Sequence, residues 1–345
     1  MNLRDLLGTA LPLIQAPMAG IQTHAMAIAV SNAGALGSLP AAMLSPDQLR
    51  AELTAIRAGT DRPFNVNFFA HTNPAPDAAR EKVWRDALRP YHAEFGLDVD
   101  SIPPGAGRAP FDAAIADLVE PFRPPVVSFH FGLPAPELLA RVKGWGSRIL
   151  ASATTVDEAL WLERHGVDAV IAQGLEAGGH RGIFLTDDLT TQVPTFALLP
   201  QVVAAVKVPV VAAGGIADAA GVRAAMALGA AGVQVGTSYM LCDEATTSAL
   251  HRRALQSEAA RHTALTTLFT GRPARGIVNR LMRELGPLSP SAPPFPTATA
   301  AIAPLRAKAE AAGSGDFSPL WSGQNPTGCK AVGAAALTAE LAAGF

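Results

Sequence analysis

The sequence predicts an α/β fold, a (β/α)8 TIM barrel with a smaller helical C-terminal appendage covering its C-terminal mouth. Three observations predict it. Eight short apolar runs alternate with Ala-rich helical stretches over the first 240 residues, the rhythm of a parallel sheet wrapped by helices. Most runs are apolar on consecutive positions, as strands covered on both faces must be. Gly214-Gly215 close the seventh run and Gly236-Thr237 end the strand of the eighth, at the end of a barrel where ligands bind.

In order, the strands are "LPLIQAPM" (11–18), "ALGSLP" (35–40), "FNVNFF" (64–69), "PVVSFHFG" (125–132), "RILASA" (148–153), "DAVIAQG" (168–174), "PVVAAGG" (209–215) and "AGVQVGTSYM" (231–240). Between them, "TVDEALWLERHG" (155–166) carries Thr155 at an N-cap position and Gly166 as a stop, and "ADAAGVRAAMALGA" (217–230) reads the same way. Two stretches exceed a bare barrel. Residues 71–124, rich in Pro and charge, predict extra helices and a loop between the third and fourth strands. Residues 243–300 hold a helical run and then "GPLSPSAPPFPTATA". The expected domains are therefore a barrel over 1–242, carrying that insertion, and a helical covering region over 243–345 whose last segment returns to the barrel. An open, doubly wound sheet is the competing arrangement.

Composition narrows the function. Of 345 residues, 49% are hydrophobic and 16% charged, which supports a large core and argues against disorder. A net charge of -2 without a Lys/Arg block disfavours a nucleic-acid surface. Cys242 and Cys329 form no CxxC or Cys/His cluster, so neither a zinc site nor a disulfide framework is expected, and a reducing cytoplasm fits. Asp5 and Pro12 interrupt the apolar N-terminal stretch, which reads as the approach to the first strand rather than a secretion signal. No run of about 18 apolar residues is present to span a membrane. No HExxH or paired His/carboxylate spacing suggests a metal.

The glycines point to a phosphate. "AAGGIAD" (212–218) sets Gly214 and Gly215 after the seventh strand, and "QVGTS" (234–238) sets Gly236 and Thr237 after the eighth. Glycines let backbone N–H groups approach an anion, and Thr237 adds a hydroxyl donor. Neither pair matches GxGxxG or GxxxxGK[ST], which disfavours a dinucleotide crevice or a nucleoside triphosphate site. Gln15 and the "APMAG" turn (Ala16, Met18), Asn67, His130 and Gln173 stand at other strand ends. Their donors and acceptors suit the edge of a planar heterocycle such as isoalloxazine, so the cofactor expected is FMN. In "IAQGLEAGGHRG" (171–182), His180 stands among glycines just past the sixth strand, and an unperturbed pKa of about 6.5 suits it to take a proton.

Together, "LPLIQAPMAG", "VSNAGALGSLP", "FNVNFF", "IAQGLEAGGHRG", "VVAAGGIAD", "GVQVGTSYM" and "LWSGQ" resemble the nitronate monooxygenase family, formerly 2-nitropropane dioxygenase. "FTGRPARGIVNRLMRELG" (269–286) is similar to its bacterial, class I-like members. The resemblance implies FMN contacts at Asn67, Gln173, Gly178, Gly179, Gly215 and the run Gln234, Val235, Gly236 and Thr237, with His180 as catalytic histidine. His130, Ser322 and Gln324 are expected on the substrate side. The implied reaction takes alkyl nitronates, such as propionate 3-nitronate, with O2 to a carbonyl compound and nitrite; with a neutral nitroalkane, His180 would first remove the α-proton. The related barrels that share "APM", "AGGH" and "AGGIAD" supply the alternative, an NAD(P)H-dependent FMN reductase of quinones or enoyl thioesters. A flavin-binding protein without turnover is the third reading.

Expected partners are the nitronate and O2, with neither nucleic acid nor membrane, in a monomer or homodimer. Arg181 is expected at the surface, and His24 and His71 as incidental. The relatives line the substrate pocket with several tyrosines, whereas this chain has only Tyr91 and Tyr239. Phe68, Phe69, Phe129 and Phe131 are candidates for apolar walls, though strand alternation sends only some of them toward a ligand.

Overall fold

The computed structural model describes residues 2–103 and 108–345; part of the "SIPPGAGRAP" loop lies outside them. Each of the eight apolar runs contains one barrel strand. They are β1 (Leu13–Gln15), β2 (Gly37–Pro40), β3 (Phe64–Phe69), β4 (Val126–His130), β5 (Arg148–Ala153), β6 (Ala169–Gln173), β8 (Val210–Ala213) and β9 (Gly232–Val235), with a short β7 (Gly179–His180) outside the ring. All eight pair in parallel in the order β1-β9-β8-β6-β5-β4-β3-β2. A parallel bridge from Ile14 to Leu36 closes the ring, with Gln15 N–H donating to Leu36 O at 2.9 Å. That closure excludes the open doubly wound sheet.

Period-two alternation sorts the side chains. Ile14, Leu36, Val126, Leu150, Ile171 and Val211 pack with Leu3, Leu6 and Leu7 of the helix Leu3–Leu7, which plugs the N-terminal end of the barrel. The intervening residues, among them Leu13, Val66, Val127, Ile149, Val170 and Val233, face the outer helices. After β9 the chain leaves through the turn Thr237–Leu241 and rejoins the outer layer of the barrel as the helix Ala334–Ala342. Leu337 and Leu341 join the main core there, and the Tyr239 hydroxyl meets Thr338 Oγ1 at 2.9 Å. This last helix packs between His24–Asn32 and Ala219–Ala227, the place of an eighth barrel helix.

The insertion contains the helices Ala78–Glu94 and Ala113–Val119. The first packs away from the barrel. Trp84, Leu88 and Tyr91 share a second core with Leu268, Phe269, Met282, Ile302 and Phe317, and Trp84 Nε1 donates to Ala298 O at 3.0 Å. The first insertion helix and the covering region therefore build one body over the barrel mouth, while Ala116 and Val119 of the second insertion helix pack in the main core. That body is not helical alone: β10 (Thr263–Thr266) and β11 (Ala274–Ile277) form an antiparallel hairpin, and β11 pairs in turn with β7. Strands of four residues with mixed polarity leave no clear alternation in the sequence, which is why the hairpin escapes the pattern. Among the described residues, no helix is long and apolar enough to cross a membrane.

Candidate active site

A cavity opens at the C-terminal ends of the barrel strands, beneath the second body. Ala16 and Met18 line it from the turn after β1, Asn67 from β3, His130 from β4 and Gln173 from β6. The loops after β6, β8 and β9 add Gly178, Gly179, His180, Gly214, Gly215, Gly236 and Thr237, with Gln234 beside them, and Ser322 arrives from the C-terminal segment. Two expected contacts do not reach the lining. Val235 points outward into the main core because its neighbour Gln234 points in. Gln324 is exposed, while Trp321, Gly323 and Asn325 beside it line the cavity instead. Gln15 is also turned inward, its Oε1 accepting from Ser38 N at 3.1 Å and from Gln22.

One side of the cavity is a glycine cradle. Gly214 (φ 110) and Gly215 (φ 74) adopt left-handed backbone that other residues rarely tolerate. A Cβ on Gly178 would lie 2.5 Å from Gly323 N, so the two backbones touch. Gly323 N–H donates to Thr237 Oγ1 at 2.9 Å and Asn325 Nδ2 to Gly215 O at 3.1 Å, holding the C-terminal segment over the cradle. Among the described residues, no protein acceptor takes the N–H of Gly215, Gly236 or Thr237. Unspent amide donors converging on a cavity suit a phosphate. Asn67 donates to Ser128 Oγ at 2.9 Å, which leaves its carbonyl oxygen for a ligand donor. Among the described residues, no cluster of acidic, His or Cys side chains could hold a metal.

The other side belongs to His180. Its carbonyl accepts from Gln173 Nε2 at 3.0 Å and from His130 Nε2 at 3.1 Å. Because His130 Nε2 must donate there, its Nδ1 accepts the Ser152 hydroxyl at 3.1 Å. Burial pushes His130 down to about 4, keeping it neutral. Gln173 Oε1 accepts from Gly182 N at 2.7 Å. Gln173, through both amide atoms, and His130, through Nε2, thus shape the His180 loop. The imidazole of His180 meets Thr270 Oγ1 through Nε2 at 2.9 Å. Phe69, Phe131, Phe295 and Trp321 surround it at 6.1, 5.8, 5.6 and 5.7 Å between ring centroids. Burial, reinforced by the charge of Arg108, holds its pKa well below 6.5, so the imidazole is neutral at pH 7.

Arg181 corrects an expectation. It is fully buried rather than at the surface, donating to Gly174 O at 2.6 Å, Gln173 O at 2.7 Å and Gln192 Oε1 at 3.1 Å. Extended backbone turns His180 to the cavity and Arg181 to the opposite side, where the last carbonyls of β6 need donors. His71 packs behind the cavity lining: its Nε2 meets Arg108 O at 3.0 Å, and its ring stands edge-on to Phe295 at 4.8 Å. His24 is remote, paired with Glu52 at 3.0 Å.

Four residues at the site were not singled out from the sequence: Arg108 and Phe295, which no motif marks, and Thr270 and Trp321, which lie inside the motifs FTGRPARGIVNRLMRELG and LWSGQ. Arg108 lines the cavity with its guanidinium 5.6 Å over the Phe295 ring, and burial lowers its pKa. Arg272 lies 4.0 Å over the Phe131 ring and donates to Ile183 O. Among the described residues neither arginine has a carboxylate partner. Of the four candidate phenylalanines, Phe69 and Phe131 flank His180, whereas Phe68 and Phe129 pack with Phe111 in the core. Tyr91 sits in the second core and Tyr239 against Thr338, so neither lines the cavity.

A closed barrel whose strand-end loops build a glycine-lined cavity, facing a histidine in an aromatic wall, defines a barrel enzyme with its site at the C-terminal mouth. Residues 1–344 match the nitronate monooxygenase family model, and the chain belongs to that family of oxidoreductases. It is 42% identical to the nitronate monooxygenase of Pseudomonas aeruginosa over 97% of this chain and 96% of that protein. It is equally similar to the nitronate monooxygenase of Paraburkholderia phytofirmans, at 42% over 98% and 93%. Among solved structures, nitroalkane oxidase from Streptomyces ansochromogenes superimposes with a TM-score of 0.89 at 38% identity, covering 99% of this chain and 96% of that one. FabK from Thermotoga maritima superimposes at 0.71 with 27% identity, covering 98% and 94%.

Proposed function

We propose that this protein is an FMN-dependent nitronate monooxygenase that converts alkyl nitronates and O2 to a carbonyl compound and nitrite. The observation that carries the reading is the neutral His180 in its aromatic wall, directly across from a glycine cradle with unspent N–H donors. Gly215, Gly236 and Thr237 would hold the phosphate of FMN, and the free Asn67 carbonyl would accept from its ring edge. Bound there, FMN supplies the electron acceptor and the route to oxygen. The protein's own part is to bind and orient the organic substrate, to exclude water with Phe69, Phe131, Phe295 and Trp321, and to manage one proton. From a neutral nitroalkane His180 takes the α-proton; a preformed nitronate needs no base.

Arg108 narrows the substrate. A half-buried guanidinium at the cavity wall, without a carboxylate partner among the described residues, favours a ligand carrying an anion of its own, which supports propionate 3-nitronate over nitronates that lack a carboxylate. The two unpaired cysteines support a reducing compartment, the cytoplasm, and we propose that the protein works there as a monomer or homodimer. The test is direct: the FMN-loaded protein is given propionate 3-nitronate in air, and nitrite and oxygen uptake are followed. Nitrite formed together with oxygen uptake supports the reading. Rapid anaerobic bleaching of the flavin by NADH, with no nitrite from any nitronate, assigns the barrel to the reductases instead.

A further inference from the structure

Thr270 lies on the turn that joins β10 to β11, 90 residues beyond the histidine that it meets at 2.9 Å. The turn is rigidly placed. Gly271 N–H donates to Thr267 O at 2.7 Å, and a Cβ on Gly271 (φ +86) would lie 2.2 Å from Pro293 O. Only glycine lets this turn press so closely on the segment that carries Phe295. The same hairpin holds the backbone of the histidine strand, through the pairing of Ala274 with His180 and through Arg181 N–H donating to Pro273 O at 2.8 Å. Ring and backbone of His180 are therefore fixed by one element of the covering body.

A neutral imidazole has one donor nitrogen and one acceptor nitrogen, and only the acceptor can take a proton. Which is which depends on Thr270. Its hydroxyl has a single proton, and Arg272 O, which can only accept, lies 3.4 Å away. With the hydroxyl proton directed there, Thr270 Oγ1 accepts from His180 Nε2–H. Nδ1 is then the ring nitrogen with no protein partner among the described residues, on a residue that lines the cavity.

We infer that Thr270 is a positioning residue that holds His180 as the Nε2–H tautomer, so that Nδ1 presents its lone pair to the substrate. The inference rests on the reading of His180 as the base of nitroalkane oxidation. In that step the substrate Cα–H bond breaks, its electron pair stays on carbon and spreads into the nitro group, and the proton goes to Nδ1. The imidazolium so formed still donates Nε2–H to Thr270. One acceptor serves both protonation states without rearrangement, the preorganisation that favours proton transfer.

The experiment uses FMN-loaded enzyme labelled with ring-15N histidine, as wild type, Thr270→Val, Thr270→Ser and, for assignment, His180→Asn. The expected wild-type spectrum shows His180 with Nε2 protonated and Nδ1 bare. Thr270→Val keeps the side-chain shape but removes the acceptor; it should mix the two tautomers. Its kcat/KM for a neutral nitroalkane should fall by about tenfold or more, as small misplacements of reacting groups do, while preformed nitronate turns over at an almost unchanged rate. Thr270→Ser should restore both tautomer and rate. A wild-type His180 protonated on Nδ1 would overturn the inference. So would a Thr270→Val enzyme that keeps the wild-type tautomer, or one that loses nitroalkane and nitronate turnover equally. If neither substrate turns over in any form, the proposed function fails, and the 15N spectrum still decides the tautomer by itself.

Discussion

His180 and Arg181 are adjacent in sequence, and the fold sends one to the cavity and buries the other among carbonyls. Sequence made His180 a candidate because glycines flank it past a strand end; nothing local marked Arg181 as buried, because its partners are backbone atoms, which carry no residue code. Arg108 was invisible for a different reason. It lies in an insertion whose composition reads as a solvated loop, and it reaches the cavity because the chain beside it is pinned to the barrel, with Phe111 N–H donating to Phe69 O at 2.8 Å and His71 Nε2 meeting Arg108 O. If Arg108 recognises the carboxylate of the substrate, Arg108→Gln should raise KM for propionate 3-nitronate by about tenfold to a hundredfold, the worth of a charge-assisted hydrogen bond. KM for the nitronate of 2-nitropropane, which has no carboxylate, should hardly change. Steady-state kinetics on the two substrates checks this, and equal increases in both would contradict the role.

At the scale of elements, the barrel strands were legible because each is a short apolar run with a polar or glycine-rich end, and burial on both faces imposes that pattern. The hairpin β10–β11 was not, because its short strands are held mainly by pairing with each other and with β7. The glycines of the cradle were legible as glycines, but their partner, the segment Ser322–Asn325, is set by contacts that sequence spacing does not encode. Gly178 is where the two meet, and its substitution tests the cradle. In Gly178→Ala the added methyl would press on Gly323 N and Ser322 C, at 2.5 and 2.6 Å. Overpacking of this kind costs about 1–3 kcal/mol, so the dissociation constant of FMN should rise by about tenfold in a fluorescence titration. An unchanged constant would show that the segment does not help to hold the cofactor.

The whole molecule is a barrel and a second body whose core joins Trp84 to Phe269, Ile302 and Phe317. Segments so far apart in sequence give no sign of sharing a core until the fold brings them together. Around and between the two bodies stand His71 and His251, buried, and His130 and His180, half-buried, all with pKa values lowered chiefly through desolvation. The unfolded chain binds protons at these groups below about pH 6.5, where the folded one does not. Stability from them is therefore complete above pH 6.5 and declines as the pH falls toward the lowered values, with each unit of depression worth about 1.4 kcal/mol. Thermal unfolding of the cofactor-free protein should show a Tm lower at pH 5.5 than at pH 7.5; a higher Tm at pH 5.5 would contradict the neutral state of these histidines. That neutral state, at His180, is what the proposed chemistry requires. The most direct measurement of it is the turnover of His180→Asn on a neutral nitroalkane and on its preformed nitronate, side by side. Loss of a general base should cut kcat/KM for the nitroalkane by about a hundredfold or more, with a much smaller loss for the nitronate. Equal losses on both would contradict the assignment of His180 as the base.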